Sequence, residues 1–185
     1  MERTLLLFLI LTKTFTMSAQ KQDPWAEYMN LSDIHQLFAE YTGNFEMQIT
    51  MSMGEGKDPA IITVESNHTM LLGGRFLEMK QKGSMMGMDY QSIITIGFNN
   101  TDKKFSMTTL TNMGTGTLSL AGEWNEKTKT AILFGPLTNP VTKNTINVKQ
   151  VISFIDKNTI LIESFDQEGD KPAKKTVQYK LIRKA

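Results

Sequence analysis

From Phe45 to Leu181 the chain keeps one hydrophobic period, and that period is two. Phe45, Met47, Ile49, Met51 and Met53 alternate with Glu46, Gln48, Thr50 and Ser52. Near the other end Val177, Tyr179 and Leu181 alternate with Gln178 and Lys180. Successive side chains of a strand point to opposite faces, so this spacing gives each segment one face to bury. Similar runs, rich in Ile, Val, Thr, Phe and Tyr, fill 60–72, 75–82, 88–98, 103–112, 117–124, 129–136, 144–155 and 159–166. Turn formers separate them, among them Gly54-Glu55-Gly56, Gly73-Gly74, Asn99-Asn100-Thr101-Asp102, Gly114-Thr115-Gly116 and Asp156-Lys157-Asn158. The count is about ten strands in up-and-down order. No helical crossover interrupts them, so neighbours pair antiparallel. Short connections and long strands favour a meander that closes on itself, because closure removes exposed edges. The expected fold is all-β: an antiparallel up-and-down barrel whose interior either fills with side chains or holds one small ligand.

The residues before Gly43 read differently. Pro24 suits a first helical turn, and Ser32 is a natural N-cap for a helix with Ile34, Leu37, Phe38 and Tyr41 on one face. Segment 20–43 is therefore expected to cover one end of a barrel formed by 44–185. Residues 1–19 have the order of a secretory signal: Arg3, then Leu5-Leu6-Leu7-Phe8-Leu9-Ile10-Leu11, then small residues up to Ala19. The competing reading is a buried N-terminal strand or helix. A cut after Ala19 makes the protein exported, periplasmic or secreted. The apolar run is too short to span a bilayer as a helix, so the mature chain is expected to have no transmembrane span.

Charge and composition remove several function classes. The chain has 20 Lys and Arg against 19 Asp and Glu; the leader takes Arg3, Lys13 and Glu2 with it, leaving 18 of each sign. No clustered positive field calls for nucleic acid. Zero Cys excludes disulfides, thiolate zinc sites and thiol nucleophiles.

Four segments together carry a resemblance: Leu72-Gly73-Gly74-Arg75-Phe76-Leu77, Gly83-Ser84-Met85-Met86-Gly87-Met88, Gly97-Phe98-Asn99-Asn100 and Asn112-Met113-Gly114-Thr115-Gly116. With Glu126-Lys127-Thr128-Lys129-Thr130, they make residues 27–183 similar to a bacterial domain-of-unknown-function family, often exported, with a lipocalin-like (calycin-type) barrel. The resemblance implies fold and export and carries over no catalytic residue. This chain departs from the family pattern at Phe45, Thr109 and Lys149, where members often carry Tyr or Trp, Trp, and Arg respectively. If those positions line the cavity, ligand preference differs.

The candidate chemistry is sparse. Met86 and Met88 form one Met-x-Met pair and Met51 and Met53 another. Thioethers bind Cu(I), but alternate strand positions share a face, so Met-x-Met is also a hydrophobic stripe. His35 and His68 lack a second ligand at metal-binding spacing; a lone His inside a barrel suits a haem or a hydrogen-bonded core position. There is no G-x-S-x-G elbow, and Gly114-Thr115-Gly116 lacks the Lys of a phosphate loop. Lys149 and Glu163 flank the Asp156–Asn158 turn almost symmetrically and are expected to be cross-strand neighbours. With Arg75 they would put fixed charges among apolar walls if all three face inward. The expected ligand-facing set is Arg75, Met85, Met86, Met88, Tyr90, Thr109, Asn112, Lys149 and Glu163, with no catalytic residue, no metal and no cofactor. Lys82 to Tyr90 is read as the turn between the third and fourth strands, with Gly83 and Gly87 reversing the chain and the methionines crowding one rim. The leading function is a non-enzymatic module that binds a small apolar or amphipathic molecule. The alternatives are an isomerase- or hydrolase-type enzyme using the same cavity, and a filled structural barrel.

Overall fold

Each alternating run becomes a strand in the computed structural model, which describes residues 23–185. The expected leader and its cut lie outside the described residues. Two short helices, α1 (Pro24–Met29) and α2 (Asp33–Glu40), precede ten strands. These are β1 (Gly43–Met51), β2 (Ala60–Leu71), β3 (Phe76–Met85), β4 (Met88–Asn99), β5 (Lys104–Thr111), β6 (Leu118–Asn125), β7 (Thr130–Thr138), β8 (Thr145–Asp156), β9 (Thr159–Glu168) and β10 (Lys174–Arg183). Each strand pairs antiparallel with its sequence neighbours, and β1 pairs with β10 from Phe45↔Arg183 to Met51↔Val177. The sheet is a closed barrel. No helix among the described residues is long and apolar enough to cross a membrane.

The turn residues perform as the sequence predicts, with one exception. Between β3 and β4 only Met86 and Gly87 lie outside the Met85↔Met88 pair, and both have positive φ, 52° and 81°. That is the sign pattern of the two-residue hairpin turn whose twist matches the flanking strands. Gly83 is not part of the reversal. It sits inside β3 opposite Tyr90, where an added Cβ would stand 2.6 Å from Val64 Cγ1. Its role is to leave interior room.

Helix α2 plugs one end. Its N-cap Ser32 donates its backbone N–H to His35 Nδ1 at 3.0 Å. The helix buries Ile34, His35 and Phe38. The Phe38 ring meets Phe105 edge-on at 5.5 Å; Trp124 stacks on Phe105 at 4.9 Å and lies 5.9 Å from Phe154. Tyr41, just past the helix, donates its hydroxyl to the Asp156 carbonyl at 2.8 Å. The last strand fastens the same end: the Arg183 guanidinium donates to the Thr42 carbonyl at 2.6 Å and lies 4.6 Å from the centre of the Phe45 ring.

Candidate functional site

The interior is packed toward α2 and less completely covered toward the opposite mouth. Toward α2 and through the middle, inward side chains such as Phe45, Met47, Leu77, Met79, Leu133, Ile152 and Ile160 keep at most 1% of their surface. Toward the opposite mouth most inward positions are half-buried, among them Met51, Ile62, Met85, Thr109, Leu118, Leu137, Ile146, Val177 and Tyr179, while Tyr90 is buried. Register places these on the inner face, since Met51↔Val177, Ile94↔Thr109 and Thr109↔Leu118 continue rows that are buried lower down.

A file of hydrogen bonds crosses the interior from mouth to plug. The Tyr90 hydroxyl donates to Ser92 Oγ at 3.0 Å, and Ser92 Oγ donates to Gln81 Oε1 at 2.6 Å. Gln81 Nε2 donates to Ser66 Oγ at 3.0 Å. Ser66 Oγ lies 2.9 Å from His68 Nε2, and His68 Nδ1 lies 3.0 Å from the Tyr41 carbonyl. A carbonyl only accepts, so Nδ1 carries the proton and Nε2 accepts from Ser66. Every member then donates to the next, and each side chain of the file has a partner. His68 is 1% exposed and stacks on Phe45 at 4.1 Å. Burial pulls its pKa down to about 4, against a smaller upward pull from the Tyr41 hydrogen bond. Both ring nitrogens are engaged, so His68 is a core histidine with no free nitrogen for a haem iron.

At the other end of the file the Tyr90 hydroxyl donates its hydrogen bond to Ser92 and keeps its lone pairs as acceptors. Burial, then the nearby Tyr90 and Asp166, push the Tyr179 hydroxyl up, and burial pushes the Asp166 carboxyl up. Across the barrel Gln150, 4% exposed, donates to Ser164 Oγ at 3.3 Å, and its Oε1 has no partner among the described residues.

Four of the nine expected ligand-facing residues meet at this mouth: Met85, Met88, Tyr90 and Thr109. Met86 is at the tip of the β3–β4 turn, 61% exposed. Asn112 is a brace beside it; its Oδ1 accepts from the Gln91 backbone N–H at 2.9 Å and its Nδ2 donates to the Asp89 carbonyl at 3.0 Å. Lys149 and Glu163 face outward and do not sit opposite one another, because Lys149 pairs with Phe165 and Glu163 with Val151. Lys149 Nζ lies over the Phe165 ring at 4.3 Å, and Glu163 pairs with Lys175 at 2.6 Å. Arg75 also lies outside the barrel, donating to the Leu72 and Met29 carbonyls. The interior charges expected from these three residues are absent. The interior polar residues Ser66, Gln81, Ser92, Gln150 and Ser164 were missed. Their signal was a Ser or Gln on the apolar phase of a strand, as at Gln150 between Val148 and Ile152.

A polar groove of about 560 Å³ runs over the outer wall between Asn44, Glu65, Lys82 and Lys184. Its charged walls are solvated, with Lys184 and Glu65 paired at 3.5 Å, so it offers little that water does not. Among the described residues no three His, Cys, Asp or Glu gather as a metal site.

A family model described as "Protein of unknown function (DUF1579)" matches residues 30–183. No curated protein matches the chain. Among solved structures the fold is similar to the crystal structure of Rv2717c from M. tuberculosis. That match has a TM-score of 0.57 and 12% identity, and covers 84% of this chain and 100% of that one. At that identity the likeness speaks for the fold alone.

Proposed function

This chain belongs to the DUF1579 family of proteins of unknown function, and from that premise we propose that it is a non-enzymatic binding module for a small apolar or amphipathic molecule. The ligand enters at the mouth opposite α2 and stops where the packed interior begins. One observation supports this reading: most of the inward side chains nearest the mouth keep accessible surface, while those toward α2 and through the middle keep almost none. Apolar walls with a few placed polar groups are the usual make-up of such a site. Here Met85, Leu118, Ile146 and Val177 give the walls, and the Tyr90 oxygen and the Gln150 amide give the polar stops. We also propose that the protein is exported, with the mature chain starting at Gln20. N-terminal sequencing of envelope protein checks this, and cytoplasmic protein starting at Met1 rejects it.

Nile red, a neutral fluorescent amphiphile of about 24 heavy atoms, is a suitable probe. At roughly −0.3 kcal/mol per heavy atom it binds with about −7 kcal/mol, a Kd of several micromolar. Replacing Met85 and Met88 together by Ser strips apolar contact from the rim and leaves the Met86-Gly87 turn intact. Affinity is expected to fall about tenfold with little change in thermal midpoint. A Cu(I) site would lose metal affinity while the dye still bound. Absence of dye binding to the wild type at about 100 μM means the mouth is only a loose end of a filled barrel, and the proposal fails.

A further inference from the structure

Methionine is the only sulfur this chain has, since it carries 13 Met and no Cys. Strands β1, β3 and β5 each set one methionine deep in the barrel: Met47 and Met79 are 0% exposed and Met107 is 2%. Followed toward the mouth, the same three strands lead to methionines in another setting. β1 ends on half-buried Met51 and runs on to Met53, 43% exposed. β3 ends on half-buried Met85 and turns through Met86 to Met88, which is 52% exposed. β5 leads into Met113, 43% exposed.

Met85 and Met88 are cross-strand partners, so their side chains share the inner face of the rim. Met113 is drawn to the same turn, because its neighbour Asn112 bonds the Gln91 N–H and the Asp89 carbonyl. The mouth therefore gathers four exposed thioethers, Met53, Met86, Met88 and Met113, beside the half-buried Met51 and Met85. The other exposed methionine among the described residues is Met29, on α1 at the opposite end.

A thioether is oxidised where an oxidant can reach it. Its sulfur attacks one oxygen of a hydroperoxide, the O–O bond breaks, and the sulfur keeps that oxygen as a sulfoxide. The sulfur loses two electrons, and the other oxygen leaves with the proton as an alcohol, or as water from hydrogen peroxide. Met47, Met79 and Met107 offer an oxidant no surface. The product is polar where the thioether was apolar. We propose that the rim methionines are an oxidation site, and that their sulfoxides expel the apolar or amphipathic ligand from the mouth. The loss of binding rests on the reading of the mouth given above; the pattern of oxidation does not. A ligand seated against oxidised Met85 and Met88 has to desolvate S=O groups, and the Leu118, Ile146 and Val177 walls hold no side-chain donor to replace the lost water. The barrel itself stays folded, because no core sulfur reacts.

Hydrogen peroxide treatment, peptide mapping by mass spectrometry and Nile red titration make the test. Met53, Met86, Met88 and Met113 are expected to oxidise about tenfold faster than Met47, Met79 and Met107. Dye affinity is expected to fall about tenfold with little change in thermal midpoint. It is expected to return when the two methionine sulfoxide reductases, one for each sulfoxide epimer, restore the thioethers. Met29→Leu is expected to keep the full response. Replacing Met53, Met85, Met86, Met88 and Met113 together by Leu keeps the rim apolar and removes its sulfur; the Kd of that variant is expected to change less than about twofold on peroxide treatment. Should the variant fail to fold, recovery of the wild type by the reductases decides. Core methionines that oxidise as fast as those of the rim, an oxidised rim with unchanged dye affinity, a loss the reductases do not reverse, or an equal loss in the Leu variant would each overturn the proposal. Wild type that binds no dye before treatment overturns the reading of the mouth and this regulation with it, whereas unchanged affinity after oxidation overturns the regulation alone.

Discussion

Acidification from pH 7.5 to pH 4 is expected to strip about 3 kcal/mol from the folded state through His68 alone. The imidazole has a pKa of 6.5 when free and about 4 in the barrel, and each unit of difference corresponds to about 1.4 kcal/mol. The folded pKa is the lower one, so between these values the unfolded chain binds more protons and stability rises with pH. The contribution is whole above pH 6.5 and is lost as pH falls toward 4. The physical event is local. A protonated Nε2 becomes a donor aimed at a Ser66 hydroxyl that is itself donating, and the charge has only the Arg183 guanidinium and the Phe45 ring nearby. Asp166, whose carboxyl is pushed up by burial, acts in the opposite sense at the acid end. Urea unfolding of wild type and His68→Gln at several pH values isolates the term. The variant starts less stable but has a shallower pH slope. Parallel slopes would remove His68 from the explanation.

Phe38→Ala carries the second large effect. Phe38 has 0% exposure and holds α2 against Phe105 and Phe154. Truncating a buried Phe costs about 3–5 kcal/mol, the sum of lost transfer energy and the cavity left behind. The cost is expected at the high end, because Trp124 stacks on Phe105 and meets Phe154 edge-on, which holds the surrounding rings out of the space. The denaturation midpoint reports it, and a loss below about 1 kcal/mol would mean that α2 is a loose lid. Nile red binding should survive in the folded fraction, since the mouth is at the far end.

Strand number, strand ends and antiparallel order were legible because most turns are marked by Gly, Asn or Asp, as at Gly73-Gly74 and Asn99-Asn100-Thr101-Asp102. The face of each side chain was harder. Period two separates two faces without saying which is inside, and this barrel carries apolar residues on its outer wall too: Ile61 is 69% and Phe134 59% exposed. On β8, Val148 and Ile152 point in while Val151 lies on the outward phase with Lys149. Nothing in composition distinguishes those two sets, and the charges of Lys149 and Glu163 were therefore assigned to the wrong side. Gly83 was misread for a related reason. A glycine beside a turn suggests reversal, whereas this one answers a neighbour, Val64, which lies on a different strand. The donor file from Tyr90 to His68 depends on the register of β2, β3 and β4 together, which no single segment encodes.

The seam between β1 and β10 has a consequence for how the protein is made. Seven residue pairs join Phe45–Met51 to Val177–Arg183, so the first strand synthesised waits for the last. Until residue 183 is free the sheet cannot close, and any strands already paired leave two edges open to another chain. Contacts this distant in sequence also make closure slow. A nascent chain therefore cannot close its barrel until its last strand has been made. Arg183, with its donation to Thr42 and its stacking on Phe45, acts as the clasp that ends that interval.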